Sequence, residues 1–300
     1  MQGAPCLSVL LSSYNYGHFI GDAIRSVLEQ DFEDYELIIV DNASTDNSLE
    51  IISSFNDPRI RLIVNPSNLG PHKSMEIMLH NAKGKYVRML CADDVLLPGT
   101  MRKQVECLNN YPCVNLVTCD FIVTDSNLNY TSIYSCCRGF ANGDDVIYSC
   151  LSRMKNEIGN PSSVMFRAED LKNAIVDKNL HLSCDVDFCI QILKKGCYYN
   201  LRMPGIYYRR HEKTDTKRVW SRDTEAREWL YLIKKHGVVT PENIIRLIFI
   251  YRYINGIPFL LTGLAKFIVR PKLLIRSLYF MLANAPHGEV SLLPGGPGKL

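Results

Sequence analysis

Short apolar runs and stretches of helical periodicity alternate along the first hundred residues of the 300-residue chain. The apolar runs are too short for helices and end in polar residues, which is typical of buried strands. Between them, apolar residues recur at helical spacing, as in Phe19, Ile24, Val27 and Leu28, which predicts amphipathic helices. The predicted strands cover residues 7–11, 37–40, 59–65 and 86–90, and the predicted helices cover residues 19–28, 44–55 and 75–82.

Polar residues directly follow three of these predicted strands. Residues 12–15 follow the first strand, Asp41 ends the second, and Asp93 and Asp94 come just after the fourth. Strands that alternate with helices form right-handed crossovers and a largely parallel sheet, which binds ligands beyond the carboxyl ends of its strands. We therefore expect these polar residues to meet at one edge of one sheet.

The adjacent acids Asp93 and Asp94 need a compensating partner, because two like charges about 4 Å apart repel by roughly 4 kcal/mol near a protein surface. A bound cation would offset this repulsion. The alternative is a solvated turn after a strand, since aspartate is common in turns. The convergence of three strand ends favours a binding site over three unrelated turns.

From about residue 111 the alternation weakens. Residues 114–125 predict a strand, and residues 162–171 predict a strand that leads into a helix. Residues 184–196 predict an amphipathic helix, which two lysines and a glycine end. Residues 198–211 predict a strand pair that leads into a basic loop.

The segment from residue 241 to residue 285 is basic and rich in apolar and aromatic residues. It carries six lysines or arginines against one acid, Glu242, so its net charge is six minus one, or +5. Apolar helices with cations along them suit a membrane interface, and a helical cap on the preceding domain is the alternative. We expect a helical region attached to anionic lipid over residues 216–285 and a disordered tail over residues 286–300.

Composition and charge narrow the class of protein. A net charge of +3 is too small to indicate a nucleic-acid partner, and none is expected. Eleven cysteines without any C-x-x-C pair indicate reduced thiols rather than a zinc site or a disulfide scaffold. The sequence shows neither a secretion signal nor an apolar run that would span a membrane. We expect a cytoplasmic protein, peripheral at the inner face of the plasma membrane.

Several motifs of the first half occur together and in a fixed order: SVLLSSYNYGHFIGDAIRSVLEQDFEDYELIIVDNASTDNS, then NLG, then AKGKYVRMLCADDVLLP. With these motifs the chain resembles the family 2 glycosyltransferases of the GT-A fold, an α/β fold, over residues 7–212. The resemblance implies a nucleotide-sugar-binding half over residues 1–110 and an acceptor-binding half of the same domain over residues 111–215. It also implies inverting transfer from a nucleotide-diphosphate sugar, with Mg²⁺ or Mn²⁺ as cofactor.

The resemblance implies roles for individual residues on the donor side. Ser12 and Tyr14 match positions that hold the nucleotide base. Asp41 matches the acid that accepts the N3–H of uracil or thymine, which suits an acceptor-only carboxylate. Asp93 matches a ribose contact and Asp94 a ligand of the divalent ion, which prefers hard oxygen ligands. The structural alternatives are a core-edge position for Tyr14 and a helix or turn cap for Asp41.

On the acceptor side, Asp185 matches the acid of the family's E-D motif and would take the proton from the acceptor hydroxyl. Asp187 could share or take this role, and a helix cap is the structural alternative for Asp185. Cys184 stands where the family has glutamate, and Cys91 stands where its D-x-D-D motif begins. These departures motivate an alternative function, a non-catalytic nucleotide-sugar-binding or scaffolding subunit of a glycan assembly complex.

Two basic residues complete the candidate site. Lys73, close to the NLG motif, is a candidate phosphate contact, although Met75 stands where the family usually has arginine. His211, in the basic loop RRHEKTDTKR, is a candidate metal ligand or phosphate contact.

These residues together indicate an enzyme that moves a sugar from a UDP- or dTDP-sugar to a hydroxyl of a glycan. The basic C-terminal segment suggests that a membrane carries the acceptor, for example as a polyprenyl-diphosphate-linked saccharide. Assembly of a surface polysaccharide of the O-antigen or capsule type is the expected setting.

Overall fold

The structure, a computed structural model, describes residues 3–136, 139–212, 214, 219–241, 243 and 245. The chain divides into two compact units, the first of which comprises residues 1–243. Residues 246–300 lie outside the described residues, and with them most of the expected membrane-associating region and the expected tail. Within the described ranges, no helix combines the length and the apolar character needed to cross a bilayer.

Strands and helices alternate through the first hundred residues, as predicted, and further strands follow. Two short 3₁₀ helices, Pro161–Ser163 and Ala168–Asn173, flank the ninth strand. In chain order the described strands and α-helices are β1 (Leu7–Ser13), α1 (Ile20–Leu28), β2 (Tyr35–Asp41), α2 (Ser48–Ser53), β3 (Ile60–Val64), α3 (Gly70–Asn81), β4 (Tyr86–Cys91), β5 (Val95–Leu96), α4 (Thr100–Asn110), β6 (Val114–Thr124), β7 (Tyr130–Tyr134), β8 (Phe140–Asn142), α5 (Gly143–Arg153), β9 (Met165–Arg167), α6 (Cys184–Leu193), β10 (Cys197–Arg209) and α7 (Arg222–His236).

One sheet runs through the described residues in the order β3-β2-β1-β4-β9-β6-β10-β5, with β7 beside β6 and β8 beside β10. The pairs β3–β2, β2–β1 and β1–β4 are parallel, which confirms the arrangement expected from the strand–helix alternation. The other half is mixed: β6 and β10 are parallel, whereas β9 is antiparallel to both β4 and β6. The short antiparallel strands have too little periodicity for the sequence to predict them.

The core lies between the parallel strands and the helices that connect them. Strand β1 contributes Leu7, Val9 and Leu11, and helix α1 packs Ile24 and Val27 into the same cluster, all of them fully buried. Burial of each such side chain contributes about 1.5–3 kcal/mol to stability. This packing fixes the direction of β1 and therefore the position of its polar carboxyl end.

Two predicted elements differ from the structure. Helix α2 is shorter than predicted and begins only at Ser48, because Ser44 instead bonds to Asp41, and Asp46 accepts the N–H of Ser48. Residues 198–211 form one irregular strand rather than a strand pair, since β10 continues past register shifts on either side of Pro204. The helix predicted after β9 is the 3₁₀ helix.

Candidate active site

The carboxyl ends of three parallel strands bring the predicted polar residues to one edge of the sheet. In the strand register, Ser13 lies opposite Asp41 on β2, and Ser12 lies opposite Cys91 on β4. The chain continues from Cys91 into Asp93. The convergence expected from the sequence is therefore present.

The loops after β1 and β2 are bound to each other around Asp41. The buried Asp41 carboxylate accepts hydrogen bonds from the Ser44 backbone N–H at 2.9 Å and from the Ser44 hydroxyl at 2.6 Å. The Ser44 hydroxyl accepts the Asn15 N–H at 3.0 Å, and Asn15 Oδ1 accepts the Thr45 N–H at 2.7 Å. A carboxylate offers about four acceptor positions, so Asp41 retains capacity for a further donor. Ser12 and Tyr14 flank Ser13, the residue opposite Asp41 in the strand register, and are partly exposed.

A cluster of asparagines holds the loops after β2 and β3. The sequence analysis did not predict this cluster. The Asn42 amide donates to Asn68 Oδ1 at 2.7 Å, and its oxygen accepts from Asn65 Nδ2 at 3.0 Å and from the Leu69 N–H at 2.9 Å. These bonds order the NLG motif at the start of α3. Three asparagines placed just after strands were the available signal.

Asp93 and Asp94 differ sharply in their surroundings. Asp94 is 1% exposed, and its two oxygens accept the Ser162 hydroxyl at 2.5 Å and the Arg209 backbone N–H at 3.0 Å. The side chain of Asp93 is 13% exposed, and its carboxylate lies 3.1 Å from His211 Nε2. The structure therefore brings His211 to Asp93 rather than to Asp94.

The two carboxylates of this cluster suit a hard divalent cation, whereas the neighbouring thiol of Cys91 is a soft ligand. Cys91, Asp93 and Asp94 each offer a ligand atom, and these atoms lie within 4.8 Å of one another. Burial and the neighbouring charge of Asp93 raise the pKa of Asp94 well above its usual value. The raised pKa means that the ionised form of Asp94 is unfavourable beside Asp93 unless a positive charge lies nearby, and a bound cation would provide one.

A buried arginine supports this cluster from within the sheet. Arg88 on β4 is fully buried and donates to Gln104 Oε1 and to the Ser162 carbonyl, and burial lowers its pKa to about 10. The Ser162 hydroxyl in turn accepts the Cys91 N–H at 2.9 Å and donates to Asp94. A single arginine inside the apolar run YVRML was the sequence signal for this support.

Two acids on α6 have opposite environments. Asp185, the second residue of the helix, is partly exposed, and desolvation by burial raises its pKa to about 6. Asp187 is fully buried and accepts from Lys235 Nζ and His236 Nε2, both at 2.9 Å. Burial alone would raise the pKa of Asp187, but the bonds from His236 and Lys235 outweigh it and lower that pKa. The carboxylate of Asp187 is thus buried and bound by protein donors, which favours Asp185 as the candidate base.

A model of the family described as Glycosyl transferase family 2 matches residues 8–162. The chain belongs to this family. An uncharacterized glycosyltransferase of Haemophilus influenzae is 35% identical over 104 residues, which are 34% of this chain and 42% of that protein. The Escherichia coli protein UDP-Glc:alpha-D-GlcNAc-diphosphoundecaprenol beta-1,3-glucosyltransferase WfgD is 31% identical over 33% of this chain and 40% of its own. This chain thus spans less than half the length of these two relatives.

Solved structures agree with the family 2 assignment at the level of the fold. S. aureus TarS 1-349 in complex with UDP-GlcNAc has a TM-score of 0.62 at 18% identity, over 76% of this chain and 66% of that chain. The mannosyltransferase PcManGT from Pyrobaculum calidifontis, in complex with GDP-Man and Mn²⁺, has a TM-score of 0.57 at 17% identity, over 94% of this chain and 81% of its own. The predicted GT-A fold is confirmed.

Of the remaining residues compared with family 2, Lys73 and Cys184 form no hydrogen bond or ion pair with Cys91, Asp93 or Asp94 among the described residues. Lys73 lies on the exposed face of α3 and pairs with Glu76 at 2.8 Å, so its role at a phosphate stays a prediction. Burial raises the pKa of Cys184 to about 12, so its thiol stays neutral at pH 7 and cannot replace a glutamate charge. Much of the basic loop, residue 213 and residues 215–218, lies outside the described part of the chain.

Proposed function

We propose that this protein is an inverting, metal-dependent glycosyltransferase that moves a sugar from a UDP- or dTDP-sugar to a hydroxyl of a glycan. The observation that carries the proposal is a carboxylate cluster at the sheet edge with a candidate base, Asp185, whose charge acts on it. Burial, followed by the charges of nearby acids including Asp185, raises the pKa of Cys91 well above its usual value. Asp185 therefore lies within electrostatic reach of the cluster.

For the metal, we propose Asp94 and His211 as ligands, as expected, together with Asp93. The ligand atoms of Asp93 and Asp94 lie within 4.8 Å of each other, and the Asp93 carboxylate lies 3.1 Å from His211 Nε2. Each Asp94 oxygen accepts one hydrogen bond from the protein, so this carboxylate retains acceptor positions for a cation. A bound Mg²⁺ or Mn²⁺ would stabilise the charge that develops on the leaving diphosphate.

For the base, we propose Asp185. Its carboxylate accepts the proton of the acceptor hydroxyl while that oxygen bonds to the anomeric carbon of the donor sugar. The bond from the anomeric carbon to the diphosphate breaks on the opposite face, which inverts the configuration. A pKa of about 6 suits this role, because the group is ionised at pH 7 and still has proton affinity.

For the nucleotide, we propose a uracil or thymine base beside Asp41. The remaining acceptor capacity of its carboxylate supports this assignment, since either base presents an N3–H donor. Ser12 and Tyr14 would contact the base, Tyr14 by stacking on it.

For the acceptor, we propose a polyprenyl-diphosphate-linked saccharide at the cytoplasmic face of the membrane, during synthesis of a surface polysaccharide. WfgD, by its name, acts on GlcNAc-diphosphoundecaprenol. Another relative, from Bacillus subtilis, is named a putative teichuronic acid biosynthesis glycosyltransferase, TuaG. The net charge of +5 in residues 241–285 supports peripheral contact with anionic lipid.

Calorimetric titration of UDP, dTDP and GDP with and without Mn²⁺ is the direct experiment. We expect a pyrimidine nucleoside diphosphate to bind only weakly without metal, and Asp93→Asn to lose at least tenfold in affinity with Mn²⁺. Asp145→Asn, an exposed acid in the first turn of α5, is the matched control.

The same titration separates the alternatives. Equal affinity with and without Mn²⁺ would contradict a metal-dependent site. Metal-dependent nucleotide binding without transfer to any acceptor would favour the non-catalytic subunit that Cys91 and Cys184 suggest.

A further inference from the structure

Three successive backbone N–H groups point at one buried carboxylate immediately before helix α6. Glu228 on α7 is 5% exposed, and its oxygens accept from His181 N at 2.7 Å, Leu182 N at 3.1 and 3.0 Å, and Ser183 N at 2.8 Å. Successive N–H groups that converge in this way form an anion-binding nest. Here a side chain from a distant helix fills the nest.

The same loop is bound from the donor side of the molecule. On α3, Nε2 of His72 lies 2.6 Å from the Leu180 carbonyl oxygen. The rings of His72 and His181 form a T-shaped contact with their centroids 5.7 Å apart. Helix α3 starts at the NLG motif, next to the asparagine cluster. The segment 180–183 therefore connects the donor-side helix α3 to α7.

This segment leads directly to the candidate base. Ser183 is the residue before α6, and Asp185 follows two positions later. The conformation of residues 181–183 therefore determines the position of the Asp185 carboxylate. A displacement of about 1 Å at a reacting group can cost roughly 100-fold in rate. An uncharged or shorter side chain at position 228 would leave N–H groups without partners and release this segment.

We propose that Glu228 is a positioning residue for the transfer reaction: it holds residues 181–183 so that Asp185 meets the acceptor hydroxyl. The proposal rests on the proposed function, because it requires Asp185 to act as the base. The proximity of Glu228 also contributes to the elevated pKa of Asp185, after the larger effect of burial. Glu228 touches no substrate in this scheme and acts through the main chain.

The experiment compares the Glu228→Gln and Glu228→Asp variants with wild type and with Glu225→Gln. Glu225 lies on the same helix, is exposed and accepts a bond from Trp220, so it matches the charge change without the loop contact. We measure kcat and donor KM for transfer, nucleotide affinity by calorimetry, and hydrogen exchange at the amides of residues 181–183.

We expect Glu228→Gln to lower kcat at least tenfold, to leave nucleotide affinity within twofold, and to speed exchange at the three amides. Glu228→Asp keeps the charge and should recover part of kcat; if the glutamine variant does not fold, the aspartate variant alone should still show a kcat loss with unchanged nucleotide affinity. Glu225→Gln should match wild type in every measurement.

Two results would overturn the positioning role. If Glu228→Gln has the kcat of wild type although its amides exchange faster, then transfer does not need the ordered segment. If hydrogen exchange at residues 181–183 is unchanged in this variant, then Glu228 does not hold the segment. Absence of transfer by wild type is a different result, because it removes the proposed function itself and with it the reaction that Glu228 would serve.

Discussion

The donor-side edge and the acceptor-side helix α6 are held in place by different kinds of interaction. At the donor edge, the carboxylates of Asp41 and Asp94 accept bonds from hydroxyl and backbone N–H groups, and neutral asparagine, serine and threonine groups make further bonds between the loops. Around α6, buried charges carry the contacts, since Asp187 meets Lys235 and His236, and Glu228 meets three N–H groups. Charge removal should therefore have much larger effects near α6 than amide removal at the donor edge.

The largest effect that we expect is the loss of transfer in Asp185→Asn. General base catalysis contributes about 10²–10⁴-fold, so kcat should fall by at least 100-fold. Nucleotide affinity should stay within twofold, because the donor edge does not depend on this carboxyl. Steady-state kinetics of Asp185→Asn measures this loss, with Asp145→Asn as the control. A near-normal kcat in Asp185→Asn would mean that Asp185 is not the base.

The next effect is on stability and concerns the buried acid of α6. Removal of one partner from a buried ion pair leaves an unpaired charge, so Asp187→Asn should cost about 3 kcal/mol in the free energy of unfolding. Asn68→Ala, which removes one neutral bond at the donor edge, should cost only about 1 kcal/mol. Urea denaturation of both variants at pH 7 measures the difference, and equal costs would contradict the contrast between the two regions.

The pH dependence should reveal the raised pKa of Asp185. Below pH 6 the carboxyl is protonated and cannot accept a proton, so kcat should fall about tenfold per pH unit. The folded state also binds this proton more tightly than the unfolded chain does, so this group makes stability fall as pH rises from about 4 to 6.

The Asp185→Asn substitution removes the loss of stability that ionisation of Asp185 causes. Because the side chain is partly exposed, we expect a gain of about 1–2 kcal/mol at pH 7 and none at pH 3. Denaturation at both pH values measures it, and an equal change at the two values would mean that the pKa of Asp185 is not raised.

The smallest expected effect concerns Lys73, the exposed lysine of α3. Lys73 is 51% exposed and its pair with Glu76 is a surface ion pair, so Lys73→Gln should change stability by less than about 0.5 kcal/mol. Glu76→Gln, which breaks the same pair, is the control. A tenfold loss of nucleotide affinity in the lysine variant alone would place Lys73 at a phosphate.

The sequence predicted the candidate site best where polar residues come directly after a strand. The positions of Ser12, Asp41 and Asp93 at one edge could be predicted, because apolar runs locate strand ends and alternation with helices makes those ends parallel. The exact hydrogen bonds around Asp94 could not be predicted. They depend on Ser162 and on the backbone of Arg209, which only the tertiary fold brings near.

The residues that hold α6 in place could not be predicted for the same reason. Glu228 lies 45 residues beyond Ser183, in a helix whose charged residues resemble an ordinary solvated face. Strand β9 was expected, but its antiparallel insertion between β4 and β6 depends on side-chain packing that periodicity does not encode. Local pattern thus predicted the donor edge better than the acceptor side.

The two bonds that hold Asp94 also set an order for assembly of the site during synthesis. Ser162 lies 68 residues beyond Asp94 in the chain, and Arg209 lies 115 residues beyond it. Contacts of such long separation form late, since the intervening chain must first be closed into a loop. A nascent chain of which only the first hundred residues have left the ribosome therefore carries Asp94 without the groups that hold it. These groups are complete only after β10 has left the ribosome.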